Sequence, residues 1–407
     1  MEQFFESEFC IRCRGRNWCG KSCKIYSKIK KFLPKSKTHF SGSSPPEIFV
    51  GKAFYPEVYT GILAPQNTGD TEEMSLPELW HKHNLSIKDI INHRAKLIYS
   101  RFKSKIKSAR KPNKFLQVMQ EVSIADKSVS TEIFLKKPFQ PRIELDKRLP
   151  MIGNPAPLKS IKLEENPHTK RKVDYIVSDT DNKAVQGIKE LYKQTNTSNI
   201  IKILSAGLLG LKKNKKLVPT RWSVTAVDDT ISKELLKKIK YYPEINEVMV
   251  FHGYYVGNHY EFLLLPDKFS FEVIEAFFTG SAWNLSQQTL FTHDFERFFN
   301  RKKYAYNVTG AYYTARLVVC EYLEKIKRQA YVIVFREERP EYNAPLGVGI
   351  LRQLGRKAFQ QKPEKFNTIK EALSKMQTRL KLNISQFTQK SILLKEYGQQ
   401  TRLNQFY

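Results

Sequence analysis

The order in which helical and strand patterns follow one another restricts the fold of this 407-residue chain more than any other feature. Apolar segments of strand composition, such as "KVDYIVS", "RWSVTAV" and "YVIVF", alternate irregularly with segments of helical spacing, such as residues 311–328. A parallel α/β sheet would need regular β-α-β alternation, and the sequence has neither that alternation nor an internal repeat. We therefore predict an α+β protein, with mixed helices and strands in a large central domain and a smaller C-terminal domain.

Two short sequences predict where helices begin. Ser86 with Asp89, and Thr368 with Glu371, have the spacing of a capping box. In that motif, the side chains satisfy backbone N–H groups that the first turn leaves unpaired. Each pair therefore predicts the start of a helix.

Two other segments predict a hairpin and a long connection. The segment "EVMVFHGYYVGNHYEFLLLP" is typical of a β-hairpin that turns at Gly257-Asn258. In that register Tyr255 would face Tyr260 on the neighbouring strand. The segment "PFQPRIELDKRLPMIGNPAPLK" contains five prolines, and this favours a surface connection over a regular element.

Changes in composition along the chain predict four parts. A cysteine-rich element and a basic segment cover residues 1–40, and "SGSSPPE" then breaks regular structure. A central domain would cover residues 41–275 and a C-terminal domain residues 276–394. Residues 395–407 would form a flexible peptide.

The charge balance indicates a polyanionic partner. The chain has 69 Lys and Arg against 40 Asp and Glu, a formal charge of +29, which favours nucleic acid. No apolar run reaches the roughly 18 residues of a membrane span, and no amphipathic basic helix or lipidation signal is evident. The start "MEQFFESEF" is acidic where a signal peptide is basic. We expect a cytoplasmic protein with no membrane partner, whose cysteines are thiols or metal ligands.

Four basic runs contribute to this charge, at residues 103–114, 168–172, 212–216 and 301–303. A single lysine run is usually a solvated face, but together with the net charge the runs favour a nucleic-acid surface. The residues that we select as candidate nucleic-acid contacts are Lys212, Lys213, Lys215, Lys216, Arg221 and Trp222. Phosphate contacts of this kind provide affinity without sequence choice.

Several aromatic side chains have two interpretations. Trp222, Tyr254, Tyr255 and Tyr260 would stack on unpaired bases if they were exposed. The alternative is that these rings pack in the core.

Four of the five cysteines lie within one short stretch, "CIRCRGRNWCGKSC". Cys10, Cys13, Cys19 and Cys23 have a C-x₂-C-x₅-C-x₃-C spacing, and four thiolates complete a tetrahedral, structural Zn²⁺ site. An iron–sulfur cluster and four unrelated thiols are the alternatives. The fifth cysteine, Cys320, lies on the apolar face of the predicted helix 311–328 and is expected to be buried.

Candidate catalytic residues are Asp228, Asp229 and His252. Two neighbouring carboxylates at the end of a predicted strand would hold Mg²⁺ or Mn²⁺ for phosphodiester chemistry, with the histidine as a general base. Alternatively, Asp229 would cap a following helix, "ISKELLKKIK", and His252 would be structural.

The C-terminal sequence "QTRLNQFY" resembles the PCNA-interacting peptide, or PIP box, of clamp-binding proteins. The matching positions are Gln400, Leu403, Phe406 and Tyr407. The resemblance implies that the three apolar side chains enter a pocket on the sliding clamp while Gln400 hydrogen-bonds at its rim. The alternative is a tail that folds back onto its own body.

Three longer segments resemble the archaeal Nre DNA repair proteins, specifically the NreA-like branch that ends in a clamp-binding tail. They are "LVPTRWSVTAVDDTISK", "FHGYYVGNHYEFLLLP" and "NAPLGVGILRQLGRKAF". The resemblance covers nearly the whole chain and implies a clamp-linked role in DNA damage repair. It assigns no catalytic residue.

The sequence therefore leaves three functional hypotheses. The first is a repair protein that PCNA recruits to DNA, which would be an enzyme if the carboxylates act as a metal-dependent nuclease or another DNA-processing centre. The second is a non-catalytic repair platform. The third, an RNA-binding zinc protein, leaves the C-terminal peptide unexplained.

Overall fold

The computed structural model describes residues 30–139, 146, 148–284, 286–299 and 301–399. It divides into two compact units. The first, unit 1, holds the described residues up to Ile231 together with Ala344–Ile350, and the second, unit 2, holds Ser232–Asn343 and the described residues from Leu351 onward. Twelve α-helices and two six-stranded sheets occur in these described ranges, which confirms the α+β class. The four domain boundaries drawn from composition stay predictions.

Unit 1 contains a mixed sheet of six strands. The strands are β1 (His39–Ser44), β2 (Glu47–Val50), β3 (Glu57–Ala64), β4 (Ile98–Lys105), β5 (Val129–Leu135) and β6 (Asn154–Leu163). Their order across the sheet is β1-β5-β6-β4-β3-β2. Only β4 and β6 run parallel, and the other neighbours are antiparallel.

Strand β6 lies inside the proline-rich segment that we predicted to be a connection, so that prediction was wrong for residues 154–159. Pro155 and Pro157 are in the half of β6 that pairs with β4, while the half from Leu158 onward pairs with β5. Pro155 therefore has a neighbouring strand on one side only, whereas the carbonyl oxygen of Pro157 also accepts a hydrogen bond from the N–H of Lys136, just beyond β5. A residue without an N–H group is tolerated at such an edge-like position.

The first seven helices of the described ranges lie wholly or partly in unit 1. They are α1 (Pro77–Lys82), α2 (Ile87–Ala95), α3 (Lys114–Ile124), α4 (Arg171–Ser178), α5 (Ala184–Tyr192), α6 (Thr197–Ser205) and α7 (Thr220–Ile239). Short 3₁₀ turns occur at Lys30–Phe32, Glu72–Met74, Ile106–Arg110 and Lys212–Asn214. Leu116, Met119 and Val122 of α3 belong to the same apolar core as Ile62 of β3 and Ile133 of β5. This helix therefore covers one face of the sheet.

Two segments that we predicted as strands are helices. "KVDYIVS" lies in α4, and "RWSVTAV" lies in α7. Val224, Val227 and Ile231 of α7 are buried at helical spacing, which a longer sequence window would have detected. The β-branched residues suggested strands, but burial of one helical stripe outweighed that weak local propensity.

Unit 2 also contains a mixed sheet of six strands. These are β7 (Val248–Tyr255), β8 (Asn258–Leu265), β9 (Ser270–Phe277), β10 (Leu290–Glu296), β11 (Tyr331–Glu338) and β12 (Glu364–Phe366). Their order is β10-β9-β11-β8-β7-β12, with only β9 and β11 parallel. Every residue of β11 is buried, which confirms the prediction for "YVIVF".

Strands β7 and β8 form the predicted hairpin, but their register differs from the predicted one. Tyr255 pairs with Asn258, and Tyr260 pairs with Gly253, so the predicted Tyr255–Tyr260 pair was wrong. The two turn residues are Val256 and Gly257, with φ of 42° and 84°. Positive φ at both positions is the geometry of the tight turns that suit twisted antiparallel strands.

The remaining helices are α8 (Gly310–Ile326), α9 (Gly349–Ala358), α10 (Ile369–Gln377), α11 (Ser385–Thr388) and α12 (Ile392–Glu396). Both predicted capping boxes are present, at the first residues of α2 and α10. Cys320 of α8 is buried as expected, and burial raises the pKa of its thiol. No helix within the described ranges is long and apolar enough to cross a membrane.

Candidate nucleic-acid interface

Two basic runs that are about a hundred residues apart in sequence meet in unit 1. The backbone N–H of Leu217 donates to the carbonyl oxygen of Ile106 at 2.9 Å, and Arg110 Nε donates to the carbonyl oxygen of Lys215 at 3.3 Å. The 3₁₀ turn Ile106–Arg110 therefore lies beside residues 212–217. The folded chain joins the two runs into one surface.

Most of the cationic side chains in these two runs are exposed. We use the name basic surface for the exposed set Lys103, Lys105, Lys107, Arg110, Lys111, Lys212, Lys213 and Lys216. Glu57, an exposed acidic neighbour of this set, lies opposite Lys105 in the ladder between β3 and β4. Lysines that keep their solvent exposure are available to contact phosphate oxygens.

Lys215 differs from the other lysines in its run. It is half-buried, and its Nζ donates to the carbonyl oxygen of Val177 at 3.2 Å. Burial lowers the pKa of Lys215, and the nearby Asp179 opposes that effect. Four lysines in residues 212–216 were candidate nucleic-acid contacts. Lys215 is hydrogen-bonded within unit 1, and the other three are exposed.

Arg221 and Trp222 lie in the first turn of α7, close to the loop between β2 and β3. The backbone N–H of Val50 donates to Thr220 Oγ1 at 2.9 Å, which fixes the start of the helix against β2. Arg221 Nη1 pairs with Asp146 Oδ2 at 3.3 Å. Partial burial and the Arg221 guanidinium lower the pKa of Lys52 in the adjacent loop.

The β2–β3 loop carries aromatic residues that the sequence interpretation missed. Phe54 is 72% exposed and Tyr55 is 43% exposed, and the Tyr55 ring lies 5.2 Å from that of Trp222, which is itself 42% exposed. Phe54 also contacts Tyr59 of β3 at a ring distance of 6.2 Å. We use the name aromatic patch for Phe54, Tyr55, Tyr59 and Trp222.

Cations lie directly against this patch. Arg101 Cζ is 4.4 Å from the centre of the Tyr59 ring, and Lys103 Nζ is 5.7 Å from the same ring and 6.0 Å from that of Phe54. Both come from β4, where Arg101 pairs with Gly61 and Lys103 pairs with Tyr59. The alternation of side chains along a strand therefore places them on the face of the sheet that carries Tyr59.

The aromatic patch is also continuous with the basic surface. The backbone N–H of Ile106 donates to the carbonyl oxygen of Pro56, at the end of the β2–β3 loop, at 3.0 Å. Ile106 thus connects the loop to Leu217 through its own N–H and C=O groups. Residues 57–62, "EVYTGI", alternate with a period of two. This alternation is the sequence signal that could have predicted β3 and the outward position of Tyr59.

Phe54 has a left-handed backbone, with φ of 64°. For a residue with a side chain this conformation costs about 1 kcal/mol, and an aromatic residue there is uncommon. The loop thus holds a large apolar ring in solvent on a backbone that glycine would adopt more easily.

The other predicted stacking residues belong to unit 2 and behave differently. Tyr255 and Tyr260 are buried, so the alternative that they pack in the core is confirmed for both. Tyr254 is half exposed, with Arg339 Cζ 5.5 Å from its ring centre. Trp222 is therefore the predicted stacking residue that lies with other exposed rings.

The candidate catalytic residues are distributed over both units. Asp228 and Asp229 are consecutive residues inside α7 in unit 1, the first buried and the second half-buried. Asp229 caps no helix, because α7 begins at Thr220, so the capping alternative was wrong. His252 lies on β7 of unit 2, where burial and the positive charge of Arg379 lower its pKa. A shared catalytic role for the three stays a prediction.

Metal binding also stays a prediction. Among the described residues, no group of three or more His, Cys, Asp or Glu side chains is placed to hold a metal ion. Cys10, Cys13, Cys19 and Cys23 lie outside the described residues, as do Gln400, Leu403, Phe406 and Tyr407.

These features define a strongly basic α+β protein that concentrates lysine, arginine and exposed aromatic side chains on one part of unit 1. The chain belongs to the archaeal Nre family. The family model described as "Archaeal Nre, N-terminal" matches residues 18–284, and the one described as "Archaeal Nre, C-terminal" matches residues 296–406.

Three relatives match most of the chain. "DNA repair protein NreB" of Archaeoglobus fulgidus is 36% identical over 394 residues, 96% of this chain and 98% of that protein. "DNA repair protein NreA" of the same organism is 36% identical over 90% of this chain and 92% of its own length. "DNA repair protein NreA" of Haloferax volcanii is 33% identical over 92% of each chain. No solved structure matches the chain.

The family assignment from sequence is thus confirmed, while the NreA-like branch stays a prediction. The identities to the NreA and NreB proteins of Archaeoglobus fulgidus are equal at 36%.

Proposed function

We propose that this protein acts in DNA repair, binds DNA through the basic surface of unit 1, and is recruited by the PCNA sliding clamp through its C-terminal peptide. The names of the three relatives, which align over nearly their full lengths, support the repair role.

The joining of residues 103–111 and 212–216 is the observation that carries DNA binding. One surface holds eight exposed cations from both runs, and the acidic residues beside it are fewer, with Glu57 opposite Lys105 and Asp179 near Lys215. Phosphates attract such a surface whatever the base sequence, and the release of counterions drives the binding. Binding of this kind is strong at low salt and weakens steeply as salt is added.

Clamp recruitment would compensate for that weakness. The spacing of Gln400, Leu403, Phe406 and Tyr407 supports a peptide that orders on binding and places apolar side chains in a pocket. A protein held by the clamp has a high effective concentration at the DNA, so modest phosphate contacts suffice.

The test of DNA binding is a salt titration of a charge variant. Lys107, Lys212, Lys213 and Lys216 are each replaced by Gln, and binding of a labelled duplex is followed by fluorescence anisotropy. We expect weaker binding at low salt and a shallower dependence of the logarithm of affinity on the logarithm of salt, with the slope reduced by roughly 3 to 4.

A matched control separates this surface from the high net charge. Lys325, Lys362, Lys370 and Lys375 are exposed residues of unit 2, and replacing them by Gln removes the same total charge. The proposal requires the control variant to keep nearly the wild-type slope. Equal losses in the two variants would show that charge alone, and not the basic surface, binds DNA.

A further inference from the structure

We infer that the aromatic patch binds unpaired bases, so that this surface prefers single-stranded DNA to duplex DNA. The inference rests on the proposed DNA binding and adds the kind of DNA that is recognised.

Exposed rings in a cluster are unusual on a protein surface. Single exposed apolar residues are common, but Phe54, Tyr55 and Trp222 are adjacent and all more than 40% exposed. Adjacent apolar groups that remain in water mark a binding surface, because folding would otherwise bury them. Tyr55 contacts Trp222 and Phe54 contacts Tyr59, so these rings are oriented before any ligand arrives.

The charge around the patch identifies the occupant as a polyanion. Arg101 and Lys103 lie over Tyr59 and Phe54, and the basic surface continues from the loop through Ile106. Of the carboxylates nearby, Asp146 is paired with Arg221 at 3.3 Å, and Glu57 lies opposite Lys105 in the ladder between β3 and β4. An apolar protein partner would gain nothing from the cations beside the aromatic patch. A nucleic-acid strand presents phosphates, which the cations attract, together with flat bases, which the aromatic side chains contact.

The combination of rings and cations fits unpaired bases better than a duplex. In a duplex the base faces are covered by their neighbours, and only phosphates and groove edges are accessible. A single strand exposes its base faces, and stacking on protein rings then adds affinity at each base. Lysines nearby hold the backbone without selecting a sequence. The patch therefore supplies selectivity for strand state, and the basic surface supplies affinity for either form.

The aromatic patch consists of two ring pairs that meet at adjacent residues of the β2–β3 loop. Tyr55 and Trp222 form one pair, and Phe54 and Tyr59 form the other, with the adjacent residues 54 and 55 connecting them. A strand that crosses the β2–β3 loop would place one base at each pair. Its phosphates would then continue toward the 3₁₀ turn Ile106–Arg110.

The experiment compares full-length wild-type protein with a Tyr55→Leu/Trp222→Leu variant and a Phe54→Leu variant. Fluorescence anisotropy measures binding to an oligothymidine strand, to a duplex of equal length and to the matching RNA strand. Leucine keeps apolar bulk but removes the ring face. We expect single-stranded DNA affinity to fall roughly ten-fold or more in the double variant, with duplex affinity changed less than about two-fold.

Two controls keep the result interpretable. Tyr241→Leu removes a ring of unit 2 that is 89% exposed, and it should leave both affinities unchanged. The tryptophan fluorescence of the wild-type protein, to which Trp222 contributes with three other tryptophans, should fall when oligothymidine binds, and this change should be smaller in the Tyr55→Leu/Trp222→Leu variant. Retained duplex binding shows that each variant is folded.

Each outcome has a defined meaning. Wild-type binding of both DNA forms with no selective loss in the variants overturns the stacking inference and leaves the proposed DNA binding intact. No DNA binding by the wild-type protein overturns the proposed function, and the inference with it. Tighter binding to RNA, lost in the same variants, overturns the assignment to DNA.

Discussion

At the scale of single residues, unit 2 contains a buried cluster with more acids than bases. Arg336 of β11 pairs with Glu275 of β9, and its Nη2 donates to Glu338 Oε2 at 3.0 Å and to Asn258 Oδ1 at 2.6 Å. All four side chains are buried. Strand register creates the cluster, because Arg336 lies opposite Glu275 and Glu338 lies opposite Asn258. One guanidinium thus serves two carboxyl groups.

The shortage of positive charge predicts a dependence of stability on pH. Burial raises the pKa of Glu338 from 4.5 to about 7, although Arg336 opposes this. Because the folded-state pKa is the higher one, this contribution to stability is complete below about pH 4.5 and is lost as pH rises through about 7. In the wild-type protein we expect the free energy of unfolding, measured by urea unfolding, to fall by roughly 2–3 kcal/mol between about pH 5 and about pH 8. Glu338→Gln should remove most of this fall, because glutamine does not titrate.

Glu341 provides the matched control for this titration. It is an exposed glutamate on the same segment, and its hydrogen bond with Lys381 lowers its pKa. Glu341→Gln should therefore keep the wild-type fall at higher pH. A Glu338→Gln protein whose stability falls as steeply as that of the wild type would assign the effect to another buried acid.

At the scale of secondary-structure elements, the β7–β8 hairpin shows how a turn sets strand register. Gly257 has φ of 84°, and its carbonyl oxygen accepts a hydrogen bond from the Arg339 N–H at 2.8 Å. A Cβ at this position would lie 2.3 Å from the backbone nitrogen of Tyr342. Two separate restrictions, the backbone conformation and the space available, therefore require glycine here.

A pair of alanine substitutions separates these two restrictions. Gly280 has a similar φ of 83°, but a Cβ there would meet nothing within 4 Å. We expect Gly280→Ala to lower the free energy of unfolding by about 1 kcal/mol, the conformational cost alone. Gly257→Ala should cost clearly more, roughly 3 kcal/mol, because the neighbouring backbone must also shift. Chemical denaturation of both variants measures the two losses in the free energy of unfolding. Equal losses would show that the backbone beside Gly257 shifts at no energetic cost.

At the scale of the whole molecule, the proposed function depends on combining separate parts of the chain. The basic surface and the aromatic patch belong to unit 1, while the C-terminal peptide follows the last described helix of unit 2. In the proposed mechanism the peptide selects the clamp and the surface of unit 1 contacts the DNA. Neither contact needs to be strong if both form together.

The clamp contribution is tested by calorimetric titration of the cognate sliding clamp with full-length protein. We expect Phe406→Ala/Tyr407→Ala to abolish measurable binding, because these rings would fill the apolar pocket. A Thr401→Ala/Asn404→Ala protein changes two positions between the motif residues and should bind like the wild type. Failure of the wild-type protein to bind would leave the tail as a segment that packs on its own body.

The predictions that succeeded depend on interactions over a few residues. The capping boxes at Ser86 and Thr368 formed as predicted, because each needs only a side chain and a backbone three positions away. Net charge and the resemblance to the archaeal Nre family are also properties of the chain that need no fold. The assignment of "RWSVTAV" to a strand failed because its composition was weighed without the longer helical stripe to which it belongs.

Other features depended on contacts that no local pattern contains. The exposed lysines of two distant runs became one surface because Ile106 hydrogen-bonds to both Pro56 and Leu217. Trp222 was a candidate from sequence, but its partner Tyr55 was identified only when the β2–β3 loop met the start of α7. The residues themselves supply charge, ring and cap, which are chemical properties of side chains. Their arrangement into one interface comes from backbone hydrogen bonds between segments far apart in sequence, and those form only in the folded chain.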